Sequence, residues 1–263
     1  MKRILSASLL MMMLFYPGIL FSAEQSGTDW KVTTAATYET GKFGTDTTTN
    51  TLYVPVMLKR YFDRWNVSLT IPYIYQETGP GVAAIGGQPF QIRKTSGGSR
   101  VSDEGLGDLV LKGGYDLLRE EEQPFNLAVI GKIKFPTADD QEGLGTGEYD
   151  EGTGLEASKR LNAQWTVFSD IYYTFIGSPP GTDLNDETTF DIGLGYDLTA
   201  DDILSVFYTE KTALLDGRPD PRDLDFNWEH KLNKTTKFFT GFSVGLSDGS
   251  PDFGVTGGMA FRF

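Results

Sequence analysis

His230 is the only histidine in the 263 residues, and there is no cysteine. A serine nucleophile would need that one imidazole as its base, with an orienting amide or carboxylate behind it. The alternation around His230 puts it on an outward, apolar face near a turn, with no evident serine and orienter to join it. The lack of cysteine excludes disulfides, thiolate zinc sites and cysteine catalysis. Paired carboxylates for glycoside cleavage are available in any chain with 36 acidic residues, but nothing spaces two of them across a cleft. Between Ala138 and Gly152 stand Asp139, Asp140, Glu142, Glu148, Asp150 and Glu151, with no Lys or Arg. Such oxygens suit a divalent cation, yet the twelve-residue calcium-loop spacing is missing, and the stretch reads as a solvated acidic loop. Gly81 to Gly98 is glycine-rich without a phosphate-loop pattern. No metal or organic cofactor is implied.

A different chemistry is passage. Lys112, Lys132 and Lys134 lie on the polar faces of two neighbouring segments, and Asp170, Asp191, Asp225 and Glu229 on those of later ones. If these faces enclose a lumen, its basic and acidic sides would orient a polar or dipolar solute. The competing reading is a set of ion pairs that stiffen the wall or close the pore.

These residues are positioned by a period of two. From Trp65 to Tyr75, Trp65, Val67, Leu69, Ile71, Tyr73 and Tyr75 share one face, and Asn66, Ser68, Thr70 and Pro72 the other. That is a strand with one apolar and one polar face. Twelve such segments follow one another, at about 30–40, 50–61, 64–76, 105–118, 124–136, 152–161, 164–176, 187–198, 202–212, 223–232, 236–247 and 253–263. Most exceed the ~5–6 residues of a soluble strand and match the ~9–11 that cross a bilayer at a tilt. The links between them alternate short and long, as in outer-membrane barrels with tight periplasmic turns and extended outer loops. A soluble sandwich would alternate too, but its loops need not sort by length. Trp30, Trp65, Trp165 and Trp228, with Tyr38, Tyr73, Tyr75 and Tyr173, fall near segment ends, where amphipathic rings prefer lipid headgroups.

Composition agrees. A mean hydropathy of −0.26 excludes a helical multi-span protein but not a membrane barrel, whose apolar residues are diluted by alternation. A net charge of −13 argues against nucleic acid as a partner. Lys2 and Arg3 precede a mostly apolar run to Phe21 and the small residues Ser22 and Ala23, the order of a cleaved secretory signal. The expected organisation is therefore a signal peptide over 1–23 and a barrel over 24–263, in the outer membrane of a Gram-negative bacterium. At the other end, Met259, Phe261 and Phe263 alternate up to the terminal residue. A terminal Phe of this kind resembles the strand recognised by the barrel assembly machinery, through pairing of an exposed strand edge.

Four stretches stand out: Gly105-Leu-Gly-Asp-Leu-Val-Leu-Lys-Gly-Gly-Tyr115, Lys134-Phe-Pro-Thr-Ala-Asp139 with Gly143-Leu-Gly-Thr-Gly147, Leu155 to Leu161, and Gly245-Leu-Ser-Asp-Gly-Ser-Pro-Asp-Phe253. They resemble a family of bacterial outer-membrane proteins labelled for the MetA pathway of phenol degradation. Val54-Pro-Val-Met-Leu, Phe62-Asp-Arg-Trp65 and Pro72-Tyr are similar too, so most of 50–263 is covered. The resemblance implies a single-chain barrel for uptake of small, often aromatic or hydrophobic molecules, and no catalytic residue. The reading is an all-β protein, one transmembrane antiparallel up-and-down β-barrel of about 12 strands, acting as a channel or transporter. Its expected partners are a small-molecule solute, outer-membrane lipid and lipopolysaccharide, and the assembly machinery. The alternatives are a structural or adhesive barrel with a closed lumen and, behind that, an outer-membrane hydrolase.

Overall fold

The computed structural model describes residues 29–79, 82–85, 88–91, 100–179 and 181–263. The expected signal peptide, 1–23, and much of the glycine-rich 81–98 stretch lie outside the described residues. The strands are β1 (Trp30–Gly41), β2 (Thr49–Tyr61), β3 (Trp65–Thr78), β4 (Val82–Ile85), β5 (Gln88–Gln91), β6 (Val101–Leu106), β7 (Leu109–Leu118), β8 (Asn126–Phe135), β9 (Asp150–Arg160), β10 (Trp165–Phe175), β11 (Glu187–Asp197), β12 (Asp202–Lys211), β13 (Arg222–Lys231), β14 (Thr236–Gly245) and β15 (Phe253–Arg262).

Each wall strand pairs antiparallel with its chain neighbour, and β1 pairs with β15, so the sheet closes on itself. β6 pairs with the upper half of β3 and β7 with its lower half, so together they form one wall strand broken at Gly107 and Asp108. The wall thus has twelve strands, close to the segments the alternation marks. The fourth starts earlier than expected, at Val101. The β4–β5 hairpin is a separate two-stranded sheet in the longest loop.

Closing β1 onto β15 removes the open edge that a backbone in hydrocarbon cannot carry; the strands left with an open side, β6 and the β4–β5 hairpin, belong to the long-loop end. Polarity is inverted relative to a soluble core. On β3, Leu69, Ile71, Tyr73 and Tyr75 point outward and are exposed, whereas Ser68, Thr70 and Gln76 are buried inside. The same holds around the ring, with Leu111, Ile133, Leu155, Ile171, Ile192, Phe226, Phe242 and Val255 all exposed. Apolar surface this continuous needs hydrocarbon rather than water against it. Trp30, Trp65, Trp165 and Trp228 all sit at the short-turn end, and Tyr38, Tyr73, Tyr75 and Tyr173 all sit at the long-loop end.

Three short turns use one device. Asn162, Thr199 and Asn233 each turn a side-chain oxygen back to accept the backbone N–H groups two and three residues on. The preceding Leu161, Leu198 and Leu232 each donate a backbone N–H to the residue that opens the next strand. The 119–125 turn is held instead by Arg119, bonded to Asp63 and Asp116. Burial works against its charge, but those two carboxylates outweigh it and hold its pKa above the ordinary value.

Inside, aromatic rings lie flat on the wall because a glycine stands beside them on the next strand. A Cβ at Gly193 would lie 2.1 Å from the Phe207 ring, and one at Gly154 2.2 Å from Tyr172. Gly193→Val therefore forces Phe207 off the wall. It should cost ~1–3 kcal/mol, read as a lower urea midpoint for unfolding from lipid vesicles. Gly131→Ala, with open space where the Cβ would be, should leave the midpoint unchanged.

Candidate functional site: the barrel interior

The register brings inward-facing charges into two rows that follow the hydrogen bonds across the wall. In the first, Arg262 on β15 faces Lys31 on β1, which faces Lys59 on β2, then Ser68 on β3, Lys112 on β7 and Lys132 on β8. Neighbouring strands are ~4.8 Å apart, so these five steps cover about 24 Å of wall. The row starts at the last residue of β15, at the short-turn end, and climbs to the upper half of β8. In the second, Asp116 on β7 faces Ala128 on β8, then Glu156 on β9, Asp170 on β10, Asp191 on β11, Thr209 on β12 and Asp223 on β13. It climbs in the same sense. On β7 the rows are four residues apart, about 13 Å. The lumen wall thus carries a cationic ramp and an anionic ramp, parallel and spiralling, in place of two flat sides.

The ramps touch where long side chains bridge them. Lys112 Nζ is 2.7 Å from Glu156 Oε1 and 3.3 Å from the Tyr172 hydroxyl, and that hydroxyl also donates to Glu156. Lys132 Nζ donates to Thr174 Oγ1 at 3.2 Å. Asp170 Oδ1 accepts the Ala157 N–H, and Asp191 accepts from the Thr209 hydroxyl.

At the long-loop end, loop 136–149 bends into the mouth of the barrel. Lys134 Nζ, at the top of β8, reaches Asp108 Oδ2 (3.2 Å), Asp150 Oδ2 (3.1 Å) and Thr146 Oγ1 (2.7 Å). The three charged side chains are only 2–3% exposed. The remaining carboxylate oxygens accept backbone N–H groups: Asp108 Oδ1 from Thr137 and Ala138, Asp150 Oδ1 from Gly177. This is a buried ion cluster with its hydrogen bonds satisfied, the condition under which such charges are tolerated. Below it, Leu144 packs on the inward Tyr53 and Ile74, and Gln76 donates to the Gly143 carbonyl. Gly145 has no room for a side chain, since a Cβ there would lie 2.7 Å from the Asp108 carboxylate.

All seven charges named from the sequence face inward, but they separate by role. Lys112 and Lys132 belong to the cationic ramp, Asp170 and Asp191 to the anionic one. Asp225 sits one inward step below Asp223, in register with Ser243 and Phe207. Glu229 bonds Lys237 near the short-turn end. Lys134 belongs to the loop cluster and does not group with the other two lysines. The 138–152 stretch, expected to be a solvated acidic loop, is divided. Asp139, Asp140 and Glu142 are exposed, whereas Leu144 to Thr146 and Asp150 are buried, because Lys134 draws Asp150 and Thr146 inward. Met259, Phe261 and Phe263 point outward on the closing strand, and Phe263 exchanges two backbone hydrogen bonds with Trp30. His230 faces outward as expected. An orienting carboxylate is present after all: Asp202 Oδ1 lies 2.8 Å from His230 Nδ1 and also accepts from Trp228 Nε1. Lys31, Lys59, Arg262 and Glu156 were not picked out from the sequence. Parity alone does not say which of Lys59 and Arg60 turns inward.

A closed antiparallel barrel with an apolar belt outside and charged rows inside is the architecture of outer-membrane-type β-barrels. Residues 40–263 match the family described as "Putative MetA-pathway of phenol degradation", and the chain belongs to that family. No curated protein sequence matches it. Among solved structures, it is similar to the COG4313 outer membrane channel from Pseudomonas putida F1. The TM-score is 0.70 and the identity 13%, over 94% of this chain and 99% of that one. It also resembles the NanC porin (TM-score 0.57, 8% identity, 88% and 100% covered). The translocator domain of the autotransporter NalP from Neisseria meningitidis is a third likeness (TM-score 0.53, 11% identity, 91% and 90% covered). At these identities the likeness is one of fold.

The loop cluster makes a clear prediction. Lys134→Met leaves Asp108 and Asp150 buried without their cation and should destabilise the barrel by ~3–5 kcal/mol in denaturant unfolding. The released 136–149 loop should also become sensitive to protease. Asp108→Asn, which keeps the Lys134–Asp150 pair, should cost less.

Proposed function

We propose that this chain is an outer-membrane channel that admits small molecules by passive or facilitated passage, with hydrophobic or aromatic compounds as the favoured class. One observation carries the reading: a closed wall, apolar outside, whose inner face bears two rows of opposite charge, each with one or two uncharged steps, running most of its height. A wall built only for stability has no need of rows that follow the axis, whereas a solute moving through them stays in a transverse field along its path. The likeness to the P. putida outer membrane channel and the phenol-degradation description of the family support the same class.

The reading places the mature barrel in the outer membrane of a Gram-negative bacterium after removal of residues 1–23. The short turns and both ends of the barrel then face the periplasm. Lipid headgroups would meet the Trp rim on that side and lipopolysaccharide the Tyr rim on the other. Met259, Phe261 and Phe263 would be the feature read by the assembly machinery. No enzymatic step is part of the proposal. His230, Asp202 and Trp228 form an outward cluster at the short-turn rim, which ties β12 to β13.

The test is flux of aromatic, anionic and cationic solutes into liposomes carrying the purified protein, with single-channel recording in parallel. Discrete channel events and solute entry are expected. A correctly folded barrel that stays silent in the bilayer and admits none of the solutes would sink the channel and favour a closed structural or adhesive barrel. Lys112→Ala and Lys132→Ala each remove a step of the cationic ramp. Both should lower the permeability of anions relative to cations, and unchanged selectivity in both would show that the ramps do not line the path.

A further inference from the structure

At the short-turn end, the outward face of the wall carries a charge beside lipid. Arg60, the last outward residue of β2, stands directly opposite Trp30 on β1 and Val67 on β3. Its guanidinium carbon lies 4.9 Å from the centre of the Trp30 ring and 5.0 Å from that of Phe62. Phe62 in turn stacks on Trp65, with ring centres 3.6 Å apart and planes 7° from parallel. Phe62 and Trp65 are exposed, and Trp30 and Arg60 half-buried, so the group is open to whatever surrounds the barrel. Arg64, Arg119 and Arg160 at the same end each have an acid, in Glu122, in Asp63 and Asp116, and in Asp197. Arg60 has none among the described residues, and its enclosed Nε donates to nothing. Asp63 is taken by Arg119, and Asp29, whose carbonyl accepts the Tyr61 N–H, has the inward parity of Lys31. The chain terminus at Phe263 is bonded to the far side of Trp30, two strands from Arg60. Cation–π attraction holds the guanidinium in place but leaves its terminal N–H donors unused.

From Arg60 toward the middle of the barrel the same face is apolar. Leu58 is in register with Val32 and Leu69, and Val56 with Ile71. Leu58, Leu69, Val56 and Ile71 are all exposed. The four residues from Arg60 to Val56 span about 13 Å of strand, close to the roughly 15 Å of one leaflet's hydrocarbon. A fixed cation thus heads a strip as long as an acyl chain. A charge on the lipid side with no acid of its own needs an anion from its surroundings.

We infer that Arg60 is the centre of a binding site for the phosphate of a glycerophospholipid in the periplasmic leaflet. The two terminal guanidinium nitrogens donate to phosphate oxygens, in the paired geometry that Arg offers and Lys does not. Trp30 and Phe62 fix the guanidinium between them, and Leu58 and Leu69 carry an acyl chain. The site rests on the proposed orientation, with the short turns in the periplasm, and not on any solute crossing the lumen. It adds one specifically held lipid to the general preference of Trp rings for the headgroup zone.

The experiment is native mass spectrometry of the purified protein in nonionic detergent, titrated with phosphatidylglycerol, with diacylglycerol of the same acyl chains, and with lipid A. Saturable retention of phosphatidylglycerol is expected, tighter than that of diacylglycerol and weakened as the ammonium acetate concentration rises. Arg60→Gln should weaken it about tenfold, the loss of a charge-assisted contact. Arg60→Lys, which keeps the charge without the fork, should fall between. Lys42→Gln, in a loop at the opposite end, should leave it unchanged. Should Arg60→Gln fold poorly, Phe62→Leu keeps the charge and removes one ring, and it should weaken phosphatidylglycerol but not diacylglycerol. Phosphatidylglycerol held no tighter than diacylglycerol, or held equally by the unaltered chain and the Arg60 variants, overturns the site. Lipid A held more tightly than phosphatidylglycerol, and lost with Arg60→Gln, overturns the phospholipid assignment and the orientation with it. Toluene flux in liposomes tests the channel independently: lost lipid binding with intact flux sinks only the site, and intact binding without flux sinks only the channel.

Discussion

The backbone of a chain that crosses hydrocarbon must find all its hydrogen-bond partners within itself, and here it does so by joining the first strand to the last. The Trp30–Gly41 strand exchanges hydrogen bonds with the Phe253–Arg262 strand along almost its whole length. Closing a sheet requires its strands to tilt, and the tilt turns each hydrogen-bonded row from a flat ring into a spiral. The two charged ramps follow from this. A row that holds Arg262, Lys31, Lys59, Lys112 and Lys132 in register would be a belt at one depth in an untilted cylinder. In the closed barrel it becomes a climb. The same geometry that removes the sheet edges arranges the charges along the axis.

That arrangement works against stability. Adjacent lysines in a ladder repel, and so do adjacent aspartates such as Asp170 and Asp191. The structure limits the damage locally: Lys112 reaches across to Glu156, Lys237 to Glu229, and hydroxyls of Tyr172, Thr174 and Thr209 face the charges that remain. Ion pairs confined to one depth would hold the wall at less cost. Charges kept in rows of one sign, interrupted only by Ser68, Ala128 and Thr209, with pairing mainly where the rows approach, fit a surface shaped for a moving solute better than one shaped only to hold together.

The alternation along each strand was enough to recover twelve wall segments and their inward faces, because sheet periodicity is set by backbone geometry whatever lies on either side. The turns were legible for a similar reason. Asn162, Thr199 and Asn233 stand where a side chain must replace a backbone partner, and the links after those residues are short. What parity could not give was register. It identifies Lys112 and Lys132 as inward but cannot align them with Lys59, Lys31 and Arg262, which depends on strand-to-strand offset. On the Trp30–Gly41 strand even parity is faint, since Thr and Ala dominate and outward Thr34 and Ala36 differ little from inward Thr33 and Ala35. The inward turn of the 136–149 loop was hidden for another reason. Six carboxylates without a cation nearby in sequence look solvated, and the cation that draws Asp150 inside sits on the preceding strand.

That loop also gathers the stretches on which the family resemblance rests. Asp108, Lys134, Leu144 and Thr146 come from three separate motif stretches, and they meet at one place, the clasp that holds the loop in the mouth. The ramp residues nearest the short-turn end, Lys31 and Arg262, lie outside every motif. Charges lower in the lumen can change one residue at a time, since an inward side chain on a closed wall can be exchanged without disturbing the outward face that meets lipid. The clasp is buried and held by ion pairs and hydrogen bonds among its parts, so those parts must change together. Differences in solute preference among barrels of this kind should therefore lie in the inward rows rather than in the motifs by which the family is recognised.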